Sequence, residues 1–302
     1  MARPVLVSGA SGLVGDALTA QLLARGEPVR ALTRDPTRVR PAPGVEAVRW
    51  NGLDVPEAAL HGARAIVHLA GEPIFGGLPS AARRRRIGES RVESTRRLVE
   101  ALARVPSRER PEVLVCASAV GYYGDRGEER LEEGAAPGEG FLAQLCADWE
   151  AAAAGAERLG LRRVSLRFAV VLSRRGGALA LLAPIFRLGL GGRVGSGRQW
   201  MPWVHLDDAA GLALRALDDA RLAGPLNAAA PGAVRNADFT RALARAVSRP
   251  ALLPVPAFAV RAALGEVAGE LLASRLVVPA RAERAGYAFR HPGLASALAA
   301  EV

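Results

Sequence analysis

The segment Val5-Leu6-Val7-Ser8-Gly9-Ala10-Ser11-Gly12-Leu13-Val14-Gly15 constrains this chain more than any other stretch. It reads as a strand, a glycine-rich turn and the start of a helix. Gly9 permits the tight turn, Gly12 lets backbone N–H groups approach a pyrophosphate, and Gly15 lets helix and strand pack closely. Ser11, Leu13 and Val14 complete the cradle. A glycine triplet alone is weak evidence, but directly after the first strand of a β-α-β pattern it points to a bound dinucleotide.

That pattern continues. Pro4–Ser8 reads as strand one and Leu13–Arg25 as its helix, followed by strands at Val29–Thr33, Val45–Arg49 and Ala65–Leu69. A helix over Glu89–Arg104 precedes strand Val113–Ser118. A long helix, Phe141–Leu159, carries Phe141, Leu145, Trp149 and Ala153 on one face. Strands Arg163–Phe168 and Leu226–Ala229 follow. Such alternation predicts an α/β fold, a Rossmann-type doubly wound parallel sheet. The polar stretch Gly124–Gly140 reads as a loop over the sheet's carboxyl edge, where ligands bind in such folds. After about Pro231 the character changes to a helix over Asn236–Val247 with Asn236 as N-cap, a proline-punctuated Pro250–Pro256, and a helix over Ala257–Leu264. Residues 1–230 are therefore expected to form the dinucleotide domain, and 231–302 a small C-terminal cap region packed on it.

The end of strand two bears on which nicotinamide cofactor binds. Thr33 and Arg34 offer a hydroxyl and a guanidinium suited to a 2′-phosphate, which favours NADP(H). Asp35, one residue on, could play the acidic role that selects NAD. The net charge is +10, yet the chain has no lysine, so all 40 basic residues are arginine. They are scattered apart from Arg83–Arg86, a solvated helix face or loop, and few aromatics lie among them, so no nucleic-acid partner is expected. No apolar run approaches the roughly 18 residues of a membrane span. Met1-Ala2-Arg3-Pro4 runs straight into a strand, leaving no room for a signal peptide. Cys116 and Cys146 match no metal spacing and fit a reducing compartment. The expectation is a cytoplasmic protein without a metal or membrane partner; a homodimer stays open.

Further segments carry a family resemblance across essentially the whole chain. They are His68-Leu69-Ala70-Gly71-Glu72, Ser90-Arg91, Ser118-Ala119-Val120-Gly121-Tyr122-Tyr123-Gly124, Cys146-Ala147-Asp148-Trp149-Glu150 and Trp203-Val204-His205-Leu206-Asp207-Asp208. Towards the end come Pro225-Leu226-Asn227-Ala228, Gly265-Glu266 and Ala285-Gly286-Tyr287. With the glycine turn, they resemble the extended short-chain dehydrogenase/reductase superfamily, in its atypical "epimerase family protein" branch with a C-terminal domain of unknown function. The resemblance implies that Leu69 and Ala70, with Gly71 beside them, line the adenosine–ribose channel. It also implies that Arg91 reaches the cofactor and that Val171 flanks the nicotinamide. Hydride-transferring members use a Tyr-x-x-x-Lys pair on the helix after strand five. Here that helix is expected to place Phe141 and Leu145 at those positions.

Ser118, Tyr122 and Tyr123 remain as catalytic candidates. Ser118 would orient a reacting oxygen. Either tyrosine serves as acid/base if a nearby cation lowers its pKa; alternatively one packs under the loop while the other caps the pocket. Of the carboxylates, Glu72 and Asp148 lie near the expected pocket, and Glu150 either joins the chemistry or pairs with an arginine. His205 reads as a structural hydrogen-bonder, with Asp207 or Asp208 capping the next helix. The basic loop Gly191–Trp200 suits a phosphorylated or nucleotide-sugar ligand, or simply connects to the cap. Two functions stay open: an epimerase or oxidoreductase acting on a small polar, nucleotide-linked substrate, and a non-enzymatic NADP(H)-binding protein on an inherited scaffold.

Overall fold

The computed structural model describes residues 2–74 and 80–302; Met1 and residues 75–79 of the expected 1–230 domain lie outside them. The first half runs β1 (Val5–Ser8), α1 (Leu13–Ala24), β2 (Val29–Thr33), β3 (Val45–Arg49), α2 (Glu57–Leu60), β4 (Ala65–His68), α3 (Ala81–Gly88), α4 (Ser94–Arg104), β5 (Val113–Ala119), β6 (Arg130–Leu131) and α5 (Phe141–Ala154). Then come β7 (Arg162–Phe168), β8 (Val170–Ser173), α6 (Gly177–Arg187), β9 (Trp200–Met201), β10 (Trp203–His205), α7 (Leu206–Asp218) and β11 (Gly224–Ala228). The remainder is β12 (Val234–Arg235), α8 (Asn236–Ala246), α9 (Ala257–Leu264), α10 (Ala268–Leu272), β13 (Leu276–Val277), α11 (Ala280–Arg284) and α12 (Leu294–Ala299).

Seven strands form one parallel sheet in the order β3-β2-β1-β4-β5-β7-β11. Central strands are apolar at nearly every position because helices cover both faces. Val5, Val7, Val67 and Val115 pack on one side with Leu18 and Leu22 of α1 and Ala213 of α7. Leu6, Ile66 and Leu114 pack on the other with Leu98 and Leu102 of α4. Strand β3, at the edge, exposes Glu46 and Arg49, charges that discourage further strand pairing.

The chain beyond Pro231 shares a core with what precedes it. Phe239 and Leu243 of α8 and Leu294 and Leu298 of α12 cluster with Leu172 and Trp203. Strand β13 pairs in parallel with β6. The fully buried Asp208 carboxylate accepts from the Arg290 and His291 N–H groups at 2.8 and 2.9 Å and from the Tyr287 hydroxyl at 3.2 Å. Among the described residues, no helix is long and apolar enough to cross a membrane.

Several local expectations are corrected. Asn236 is not an N-cap: Arg235 holds that position, and the Asn236 Oδ1 instead accepts from Val194 N–H at 2.8 Å, tethering the loop before it. Neither Asp207 nor Asp208 caps α7, because His205 Nδ1 accepts the Asp207 N–H at 3.1 Å. The long helix tightens into a 3₁₀ turn at Gly155–Leu159, stopped by left-handed Gly160. The helix begun at Glu89 opens with a π turn, Glu89–Glu93. Gly124–Gly140 is not all loop, since it contains β6.

Candidate active site

The sheet order reverses between β1 and β4, so their carboxyl ends leave a crevice. Gly9 takes φ +73° and its carbonyl accepts the Gly12 N–H at 2.9 Å. Gly12 is the N-cap of α1 and offers no side-chain cap, so the first-turn N–H groups of Leu13 and Val14 face outward as an anion cradle. A side chain at Gly15 would collide with the Gly9 carbonyl, and one at Gly9 would come within 3.0 Å of the Ala70 nitrogen. Ser11 and Gly12 are exposed at the mouth, with Leu13 and Val14 half-buried behind them.

Behind the cradle, the Ser8 hydroxyl bonds His68 Nδ1 at 2.7 Å and accepts from Ala70 N–H at 3.3 Å. His68 Nε2 lies 3.3 Å from the Ser94 hydroxyl, and burial lowers the imidazole pKa to about 4, leaving it neutral. This ties β1, the Leu69–Ala70 turn and α4 together. Arg91, on the π turn, is only 8 % exposed. A side chain at Gly71 would meet its Cζ at 3.2 Å, so the Arg91 guanidinium lies directly against the turn after β4. Burial holds it below the ordinary arginine value, with Cys146 and Glu72 opposing.

At the end of β2, Thr33 and Arg34 separate. The Thr33 hydroxyl is buried and committed to a local turn, accepting Asp35 N–H at 3.2 Å and donating to the Asp35 carbonyl at 3.0 Å. Asp35 Oδ1 accepts from the Thr37 N–H at 3.0 Å and hydroxyl at 2.7 Å, which hold its carboxyl below the usual range. Arg34 is exposed and makes no hydrogen bond or ion pair among the described residues.

The end of β5 holds a buried network. Ser118 stands beside Arg167 in the strand register and donates its hydroxyl to Glu150 Oε1 at 2.7 Å. Glu150 in turn receives a bidentate pair from Arg167 Nε and Nη2, both at 2.8 Å. Arg167 Nη1 donates to the Tyr123 hydroxyl at 2.9 Å, which donates to Asn227 Oδ1 at 2.7 Å. Burial opposes the Arg167 charge, but the Glu150 carboxylate outweighs it and holds the guanidinium above its ordinary value. Burial likewise raises Tyr123, which is fully enclosed. Tyr122 differs. Its ring lies over the Arg167 guanidinium, 3.5 Å from Cζ, it is half-buried, and its hydroxyl makes no hydrogen bond among the described residues. Tyr122, Val14 and Val171 border one apolar cluster, which brings the loop after β5 to the nicotinamide end of the expected cofactor track.

The helix face is shifted by one position from expectation. A side chain at Gly121 would meet Leu142 Cβ at 3.6 Å and Cys146 Sγ at 3.8 Å, and Glu150 follows one turn on. Leu142, Cys146 and Glu150 therefore look onto the end of β5, and Leu142 also joins Phe141 and Leu145 in the apolar cluster around Ile87. Leu145, Trp149 and Ala153 are buried and Phe141 is half-buried, as expected, but Leu142, Ala143 and Cys146 are buried too, so the apolar side of this helix is broader than those four positions. Burial pushes the Cys146 thiol up to about 12.

Beside this face a cleft of about 380 Å³ opens between Gly121, Gly124 and Gly140–Ala143 on one side and α9–α10 on the other. Arg275, buried at its wall, donates from Nε to the Gly124 carbonyl at 2.7 Å and pairs through Nη1 with Glu270 at 3.1 Å. Neither residue was marked by any spacing signal; only the docking of the C-terminal region brings them here. Asp148 is exposed and bonded to Gln144, and Glu72 stays near Arg91. The loop before Trp200 is pinned by Gln199, whose amide donates to the Val194 and Leu271 carbonyls. His205, Asp207 and His291 bring ligand-type atoms together, but the His205 Nδ1 lone pair is spent on capping α7.

Comparison with known proteins agrees with this geometry. A family model, the NAD dependent epimerase/dehydratase family, matches residues 5–229, and a domain of unknown function, DUF1731, matches 255–301. An epimerase family protein of Mycobacterium bovis is 41 % identical over 301 residues, covering 97 % of this chain and 96 % of the relative. The crystal structure of human epimerase family protein SDR39U1 (isoform 2) with NADPH superposes with a TM-score of 0.87 at 34 % identity, covering 98 % of both chains. A nucleoside-diphosphate sugar epimerase from Corynebacterium glutamicum gives 0.80 at 38 % identity, covering all of this chain and 58 % of its own.

Proposed function

The chain belongs to the NAD dependent epimerase/dehydratase family, and from that premise we propose that it binds NADP(H) across the β1–β4 crevice and acts as an epimerase or oxidoreductase on a small polar, nucleotide-linked substrate. One observation carries the cofactor choice: Arg34 at the tip of β2 has no partner among the described residues, while the neighbouring Asp35 carboxylate is engaged by Thr37. The NADPH in the human relative's structure supports the same reading.

In this proposal the α1 N-terminus takes the pyrophosphate, Arg34 the 2′-phosphate, Leu69–Gly71 the adenosine ribose and Arg91 the nicotinamide-side ribose, with Val171 against the ring. Bound nicotinamide supplies the hydride donor or acceptor. Substrate occupies the cleft beside Gly121. Tyr122 is the proton carrier, since it alone among the three candidates has a hydroxyl without a structural commitment. Ser118 and Tyr123 support it through Glu150 and Arg167.

A second reading, a binding protein without turnover, is favoured by one specific observation: the two helix positions opposite Gly121, Leu142 and Cys146, carry no group that exchanges protons at neutral pH, and Glu150 on the same face is paired with Arg167. Incubation of small carbonyl compounds with 4-deuterated NADPH, and of nucleotide sugars with NADP+ while epimer formation is followed, separates the two. Turnover that Tyr122→Phe cuts by about 10²–10⁴-fold without loss of NADPH affinity supports the first. Tight NADPH binding with neither deuterium transfer to a carbonyl compound nor epimer formation supports the second.

A further inference from the structure

Among the described residues, every large apolar side chain that is strongly exposed falls in one of two segments, 181–190 and 252–271. Leu188 and Phe258 are 75 % and 74 % exposed, and Leu181, Ile185, Leu252 and Leu253 accompany them. The two segments run side by side. Val255 N–H donates to the Arg193 carbonyl at 2.9 Å, Gly195 N–H to the Val255 carbonyl at 2.8 Å, and Arg249 Nε to the Arg187 carbonyl at 3.2 Å. These bonds bring the outer side of α6, the turn after it and the approach to α9, each carrying exposed apolar side chains, next to one another. A patch of this kind on a folded chain marks a contact surface.

Its charge is one-sided. The chain has 30 acidic residues in 302, about one in ten, yet none lies in 174–206 or 245–265; the two in 252–271, Glu266 and Glu270, stand at its far end, and Glu270 is paired with Arg275. Arg187, Arg193, Arg249 and Arg261 lie in or beside the two segments instead. Arginine stems extend along apolar surface while their guanidiniums reach outward, so such a rim suits a flat partner that is apolar below and anionic above. We propose that this face docks on the surface of a membrane rich in anionic lipid, with Leu188, Leu252 and Phe258 entering the headgroup–acyl boundary and the arginines meeting lipid phosphates. Lying on a bilayer in this way requires no spanning helix.

Co-sedimentation with sucrose-loaded vesicles tests it, comparing phosphatidylcholine alone with phosphatidylcholine carrying about 30 % phosphatidylglycerol. The protein should sediment with the second and not the first. Leu188→Ser with Phe258→Ser keeps the net charge, alters only exposed positions and should lower binding by about tenfold. Arg187→Gln with Arg193→Gln should weaken binding and flatten its salt dependence. Thermal unfolding of each variant confirms that the fold is retained. Absence of binding to anionic vesicles overturns the proposal, as does binding that the serine pair leaves unchanged, which would come from overall charge alone. A solution dimer that the serine pair dissociates, with no vesicle binding, would assign the face to a second copy of the chain.

Discussion

Arg167 shows how one residue can hold a site together without entering its chemistry. It is 2 % exposed, paired twice with Glu150, bonded to Tyr123 and stacked under Tyr122. A buried pair adds little net stability when intact, but removing one partner strands the other charge. Glu150→Ala should therefore lower unfolding stability by about 3–5 kcal/mol in urea denaturation. Tyr123→Phe should cost about 1–3 kcal/mol by leaving Asn227 and Arg167 short of a partner. Tyr122→Phe, which removes a hydroxyl that bonds nothing among the described residues, should be near neutral for stability. A Glu150→Ala protein as stable as the parent would mean that the network is not closed as described.

At the scale of elements, the strand–turn–helix unit at the N-terminus makes two glycines do different things. Gly15 is required by packing, since a Cβ there would strike the Gly9 carbonyl. Gly12 has more room, meeting only that carbonyl at 3.1 Å, and its lack of a side chain serves the ligand. Gly15→Ala should thus destabilise the fold by about 1–3 kcal/mol. Gly12→Val should leave melting much less affected and abolish NADPH binding, because its side chain occupies the space of the pyrophosphate. Melting curves and cofactor titration on the two variants check this; equal loss of stability in both would remove the distinction. Much of this unit was legible in the sequence because glycine spacing and β-branched strands act locally. The face of α5 was not. Phe141, Leu142, Leu145, Cys146 and Trp149 are all apolar, so periodicity could not decide between neighbouring positions, and Gly121 decides it only through tertiary contact.

For the whole molecule, the sheet and its order followed from alternating elements, whereas the way the C-terminal region seats on them did not. Asp208 was expected to cap a helix and instead receives the 290–291 backbone, a long-range contact that no local pattern announces. Arg275 and Glu270 reach the cleft by the same docking. Global stability also carries a pH dependence from His68, which joins β1, β4 and α4. Its pKa falls from 6.5 unfolded to about 4 folded. The unfolded chain therefore binds the extra proton between those values. Stability should be full above pH 6.5 and decline by about 3 kcal/mol as pH falls to 4. Urea denaturation across that range, with His68→Gln flattening the slope, measures it.

The central claim is that an NADP(H) site spans the crevice with Arg34 as its phosphate reader, and fluorescence titration of NADPH against NADH tests it most directly. A charge-assisted contact to the 2′-phosphate contributes roughly 1.5–3 kcal/mol, so NADPH should bind about ten- to a hundredfold more tightly. Arg34→Ala should erase most of that gap and leave NADH affinity unchanged. Equal affinity for the two cofactors in the parent protein, or a preference that survives Arg34→Ala, would contradict the account.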